Sequence, residues 1–174
     1  MRFIWLVLFL FILNGCGYKP SSNYAKSYIG DKIYANVEIF LNDPENAVVL
    51  KDALYKAIKT RFHINVAETR GDYAQVDISL SSLSFIPIQY DTNGYVIFYQ
   101  TKVVLNTKLK VKDKTKFIQV YGLYNFPIEP NSILNDQLRY TAIYNSAQKA
   151  LDSLLAKISI DGLIESQSRF SNDN

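Results

Sequence analysis

The sequence has almost none of the side chains that most protein chemistry uses. It contains one cysteine and one histidine. A lone cysteine makes no internal disulfide, so the fold stands on packing alone. A metal held by nitrogen or sulfur needs several ligands at suitable spacing, and only Cys16 and His63 are on offer. No Ser-His-Asp spacing, phosphate-binding glycine loop or dinucleotide fingerprint is present. Asp43, Asp52, Asp72, Asp77, Asp91 and Asp113 sit singly, mostly at expected caps and turns. His63, just past a helix-patterned stretch, suits a helix-end surface position. Nor is there a large excess of either charge: 19 Lys+Arg stand against 16 Asp+Glu. Such a mild basic balance says little about partners. The expectation is a binding protein with no catalytic residues, no metal and no cofactor.

Long apolar runs are also scarce. The one that stands out is "FIWLVLFLFIL", Phe3 to Leu13, behind Met1-Arg2. It is shorter than the roughly 20 apolar residues that span a bilayer. It has no polar positions, so it does not read as an amphipathic core helix. A positive charge, an apolar run and then small residues are the parts of a secretory signal. The next residues, "LNGC" (Leu13 to Cys16), resemble the bacterial lipobox. That resemblance implies that the Cys16 thiol receives a diacylglyceryl group, that the chain is cut between Gly15 and Cys16, and that the new amine is acylated. Leu13 would dock the membrane peptidase, and small Gly15 leaves room at the scissile bond. Asn14 departs from the small or aliphatic residue commoner at its position. Two or three acyl chains matter because a single chain anchors only marginally. Gly17 stands where an Asp would signal retention in the inner membrane. The resemblance therefore implies the outer membrane, facing the periplasm, a place where nucleic acid is a poor fit as partner.

The remainder divides by pattern. Residues 1–15 read as the removed signal, 16–30 as a lipidated N-terminus and tether, 31–160 as one domain, and 161–174 as a polar tail. Within the tether, "GYKPSSNYAKSYIG" has no clear period. "KIYANVEIF" alternates as a strand. Asp43 as N-cap and Pro44 at the first helical position open an amphipathic helix to about Arg61. A short strand fits "INVAE". Three long β-patterned runs follow: "YAQVDISLSSLSFIPIQY", "GYVIFYQTKVVLNTKLKVKD" and "KFIQVYGLYNFPI". Asn93-Gly94 is a tight-turn signal, and "KDKTK" (Lys112 to Lys116) reads as a second turn. Apolar residues change phase between Leu80 and Leu83, which predicts a bulge near Ser81-Ser82. Pro87 suits a strand end or edge. The closing helix carries the stripe Ile143, Ala147, Ala150, Leu151, Leu154 and Ile158. This order predicts an α+β two-layer sandwich, with two helices on one face of a mainly antiparallel sheet of about four strands.

One charged constellation remains, "TKLKVKDKTK" from Thr107 to Lys116. On a strand, Lys108, Lys110 and Lys112 fall on one face about 6.5–7 Å apart, with Lys114 and Lys116 at the adjoining turn. Two readings are open. Lysines solubilise a sheet and guard its edges, or they form an anion site that meets several phosphates as point charges. The "GCGY" start (Gly15 to Tyr18) and the element order resemble the LPS-assembly lipoprotein family, LptE, over about Tyr18 to Ile160. That resemblance implies an outer-membrane lipoprotein that plugs and helps assemble the LptD barrel translocon and binds lipopolysaccharide (LPS) during delivery to the surface. Its partners would be an LptD-like outer-membrane β-barrel, LPS, and the outer membrane through the acyl anchor. Lys108, Lys110, Lys112, Lys114 and Lys116 are the only cluster that matches the family's basic LPS contact. A plug needs a polar sheet face, which Tyr95, Tyr99, Gln100, Lys102, Asn106 and Lys108 suit. The competing reading is a structural or accessory lipoprotein of another outer-membrane machine.

Overall fold

The computed structural model describes residues 21–38, 48, 51–52, 55–56, 59–60, 64–130 and 132–172. Cys16, Gly15, the signal, His63 and most of the predicted Pro44–Arg61 helix lie outside them. The described elements are α1 (Ser21–Ile29), β1 (Lys32–Val37), β2 (Asn65–Ala67), β3 (Ala74–Tyr90), β4 (Val96–Val111), β5 (Lys114–Pro127) and α2 (Asp136–Asn172). The five strands form one sheet in the order β2-β1-β3-β4-β5. Helices pack on one face, giving the α+β two-layer sandwich that the pattern predicts.

The sheet is mixed, with five strands where the pattern suggests about four. β3, β4 and β5 are an antiparallel meander, but β1 runs parallel to both β2 and β3. A parallel pair needs a crossover, which usually carries a helix. Tyr55 and Lys56, within the stretch predicted as helical, have helical backbone. Tyr55 donates its hydroxyl proton to the Ala35 carbonyl (3.3 Å), and Lys56 lies over the Tyr144 ring on α2. The crossover thus touches both β1 and α2.

The meander follows its local chemistry. The Asp91 carboxylate accepts from the backbone N–H of Asn93 (2.9 Å) and Tyr95 (2.8 Å), closing the β3–β4 connection. The predicted phase change is a register shift between Leu80 and Ser82, and a second lies between Pro87 and Gln89. β1 pairs with β3 only over Ala74 to Ile78. Pro87 therefore sits where β3 has β4 alone as a described strand neighbour, so its missing N–H is harmless there.

α2 opens at Asn135, whose side-chain oxygen accepts from the Leu138 N–H (2.9 Å), with Asp136 in the first turn. Its stripe of Ala147, Ala150, Leu151, Leu154 and Ile158 is buried against Val76, Ile78, Val103, Leu105 and Leu109. The helix crosses β5 at Gly122, where a Cβ would strike the Ser146 carbonyl oxygen. A smaller aromatic cluster closes the hairpin end: Tyr99 and Tyr124 stack on Phe126, and Arg139 lies over Phe85.

Two stretches differ from the sequence reading. Ser21–Ile29, read as tether, is the helix α1. Residues after Asp161, read as a polar tail, continue α2 to Asn172. Each explains the other. A nine-residue helix is unstable alone, and α1 packs on the extension of α2. At Gly162 a Cβ would collide with the Tyr24 carbonyl oxygen, so only a bare backbone lets the helices meet.

Substituting Gly122→Ala should lower stability by about 1–3 kcal/mol through overpacking, read from urea unfolding. Thr107 is 2% exposed in the core face, and its hydroxyl has no hydrogen-bond partner among the described residues. Thr107→Val should raise stability by about 1 kcal/mol by removing an unpaired buried polar group. A loss of stability in the same unfolding curves would show that the hydroxyl has a partner in solution.

Candidate functional site

The lysine run divides according to the alternation of β4. Thr107, Leu109 and Val111 point into the core, so Lys108 and Lys110 point to the open face of the sheet. Lys112 does not continue the row. It adopts φ 53°, the left-handed turn conformation, and with Asp113 links the strands. β5 then begins at Lys114, so the turn is shorter than the "KDKTK" reading. Register decides the last two lysines. Lys114 pairs with Val111 and Lys116 with Leu109, both core-facing positions. Lys114 and Lys116 therefore lie on the helix side.

There α2 supplies carboxylates. Lys116 Nζ meets both Asp161 oxygens at 2.6 and 2.7 Å, and Lys114 lies 3.8 Å from Glu165. Asp161 and Glu165 are one helical turn apart, which is the signal that finds them once the helix is extended. Close by, burial pushes the Tyr28 phenol above its ordinary pKa; Asp161 and Glu165 add to this and Lys116 opposes it. Sequence reasoning missed these acids by reading their segment as a tail.

On the open face, Lys108 stands in a row with Asn36, Asp77 and Phe117. Asp77 is already committed. It accepts from Arg70 (2.9 Å), with Asn36 at 3.5 Å. Arg70 also lies over the Tyr34 ring. The Asp77 charge raises the Arg70 guanidinium above its ordinary value, and a hydrogen bond with Tyr34 adds to this. A shallow depression of about 600 Å³ opens here, lined by Glu38, Arg70, Asp77, Asn106, Lys108 and Gln119 among others. Among the described residues, Lys108, Lys110 and Lys112 have no ion-pair partner.

Toward the hairpin the face mixes polar pairs with apolar side chains, Ile86, Val104 and Leu123 among them. Gln119 pairs with Asn106 (2.9 Å) and Gln100 with Asn125 (2.9 Å), while Lys102 lies over Tyr121. Tyr99 is not part of this lining. Its position is core-facing, and its ring stacks on Phe126 at 6.1 Å. Tyr95 sits at the β3–β4 connection rather than on the strand face. Gln100, Lys102, Asn106 and Lys108 do share the open face. No group of three or more His, Cys, Asp or Glu that would hold a metal occurs among the described residues. No described helix is long and apolar enough to cross a membrane.

Among the described elements, a mixed five-stranded sheet lies under two helices with its other face open, which defines a two-layer α+β domain. The sequence matches no protein-family model and no curated protein. The fold, however, is similar to that of rare lipoprotein B from Shewanella oneidensis, with a TM-score of 0.50 at 11% identity, over 72% of this chain and 95% of that one. A lipoprotein B from Nitrosomonas europaea gives a TM-score of 0.49 at 12% identity, over 83% of this chain and 90% of that one. At such identities the likeness is one of fold alone.

The division of the lysines has a direct test. Lys116→Gln and Asp161→Asn should each lower stability, by up to about 1 kcal/mol because the pair is partly exposed. The double substitution should cost little more than either single one. Lys108→Gln and Lys110→Gln should leave the urea midpoint unchanged.

Proposed function

We propose that this chain is an outer-membrane lipoprotein, anchored through Cys16, that plugs and helps assemble an LptD-like barrel translocon and binds LPS on its way to the cell surface. The observation that carries the reading is a fold shared with a lipoprotein, rare lipoprotein B, behind an N-terminal "LNGC". The open sheet face agrees with it. Barrel lumens are polar, and Gln100, Lys102, Asn106, Lys108, Gln119 and Asn125 give the domain a wettable face of matching character.

The protein binds rather than catalyses. Lys108 and Lys110 present two ammonium groups on one face, and Lys112 adds a third at the turn. Each acts as a compact point charge toward a phosphate. Lys116 is paired with Asp161 and Lys114 lies beside Glu165 on the helix side, so the proposed LPS contact narrows to the first three. Phosphates on the glycolipid would meet this end of the sheet.

Two measurements test the reading. A C-terminally tagged, full-length protein purified in mild detergent should bring down an outer-membrane barrel of translocon size in equal amount. A different stoichiometric partner would make the chain an accessory of another machine. Lys108→Glu with Lys110→Glu and Lys112→Glu should abolish LPS capture, whereas Lys116→Gln should not. Undiminished capture by the triple variant overturns the anion site.

A further inference from the structure

We infer that the open face carries an oligosaccharide platform on β4 and β5, built from Phe117, Tyr121 and the side-chain amides of Asn106 and Gln119. It takes neutral sugar rings. The inference deepens the proposed LPS contact and rests on that reading for the choice of glycan.

Two aromatic rings start the argument. Phe117 is 77% exposed and Tyr121 is 59% exposed, and neither belongs to a core cluster. Both alternate with the buried Ile118 and Val120 on β5, so both rings rise from the open face. Four residues of strand set them about 13 Å apart. Lys102 lies over the Tyr121 ring and still leaves it largely in water. A pyranose has a face of C–H groups and a rim of hydroxyls. An aromatic ring covers such a face as it covers other apolar surface. Two rings at this spacing seat separate residues of one glycan chain rather than a single sugar.

Hydrogen-bonding groups fall between the rings. Gln119 lies midway between them on β5 and pairs across the strands with Asn106. Gln119 Nε2 donates to Asn106 Oδ1 (2.9 Å). The Asn106 amide nitrogen and the Gln119 amide oxygen then have no partner among the described residues. Turning both amides over leaves the same complement, one donor group and one acceptor. A sugar hydroxyl is itself donor and acceptor, so neighbouring hydroxyls match this edge. The shared bond also holds the two side chains in place, which lowers the cost of ordering them on binding. In the Phe117 row, Asp77 takes both of its contacts, from Arg70 and Asn36, on Oδ1. Its Oδ2 has no partner among the described residues and can accept from a further hydroxyl.

Charge points the same way. The depression beside Phe117 holds Arg70 and Lys108 against Glu38 and Asp77, and these charges cancel. A balanced site exerts little net pull on an anion and suits hydroxyls. Lys110 and Lys112 continue beyond it toward the turn. Phosphates on a glycan would meet those point charges while its neutral rings lie on the aromatics. A protein hot spot, by contrast, gathers its anchors around a dry, well-packed centre. Here the centre between the rings is a pair of amides.

The test uses the full-length protein in deuterated detergent and saturation-transfer NMR. One probe is an LPS core oligosaccharide stripped of acyl chains and phosphates, and a second keeps its phosphates. Capture of intact LPS is measured alongside. The protein should transfer saturation to the ring protons of the phosphate-free glycan. Phe117→Ala with Tyr121→Ala should reduce that transfer several-fold, as should Asn106→Ala with Gln119→Ala, whereas Phe117→Trp should retain it. The urea midpoint of the aromatic double variant should stay unchanged, because both rings lie mostly in water. No transfer to the phosphate-free glycan, or transfer that survives the aromatic double variant, overturns the platform. Binding of the phosphorylated probe alone would then leave the lysine contact standing without it. Transfer that depends on Phe117, with no capture of intact LPS, upholds the platform and overturns the LPS reading. Loss of a co-purifying barrel in the aromatic double variant, with undiminished glycan transfer, makes the strip a protein interface and overturns the platform.

Discussion

The close approach of α2 to the sheet is the contact on which the rest depends. The helix lies flat because Gly122 removes the one side chain that would hold it off β5. From that seat its stripe fills the core between Val76, Leu105 and Leu109. Its length then does two further things. It carries Asp161 and Glu165 past the last core residues to meet Lys116 and Lys114, and it offers Gly162 as the seat for α1. Core, charge pairing and N-terminal placement are consequences of one helix lying where it does.

The same helix sorts the lysines by chemistry. Five lysines in a short stretch look alike in sequence, yet the sheet gives them different jobs. Those on β4 that alternate with core residues keep their charge on the open face. Those on β5 that oppose core residues lie beside Asp161 and Glu165 instead, in partly exposed pairs that are worth little energy. The set of lysines without an ion-pair partner among the described residues is therefore smaller than the run suggests. It is also distinct from the lysines that pair with α2.

What the sequence reveals and conceals follows from the range of each cause. The meander, the Asp91–Tyr95 connection, the bulge after Leu80 and the stripe on α2 come from periodicity and turn chemistry, which are local. Even the placement of Pro87 follows from its missing N–H. α1 was invisible because "SSNYAKSYI" has little helical character of its own and depends on Gly162, more than a hundred residues away. The end of α2 is hidden in the sequence for the matching reason. Its last turns are polar, and what keeps them ordered is a partner that sequence pattern does not supply. The short strand read at "INVAE" is β2, but its parallel pairing with β1, which makes it the fifth strand of the sheet, is a long-range feature that local pattern does not show. Tyr99 falls on the core side because an aromatic with a hydroxyl suits either face, and only strict alternation along β4 decides.

The outer half of β3 carries one last implication, about the company this domain keeps. Past Ser79, no described strand pairs with it on the β1 side, and a long bare strand invites another chain to zip on. Here the invitation is withdrawn twice. The ladder slips out of step after Leu80 and again after Pro87, and the proline itself has no hydrogen to offer. On the opposite border of the sheet, Lys157 reaches over to occupy the Gln119 carbonyl of β5 (2.8 Å). The outer half of β3 and the border at β5 thus each carry a feature that discourages another chain from pairing there.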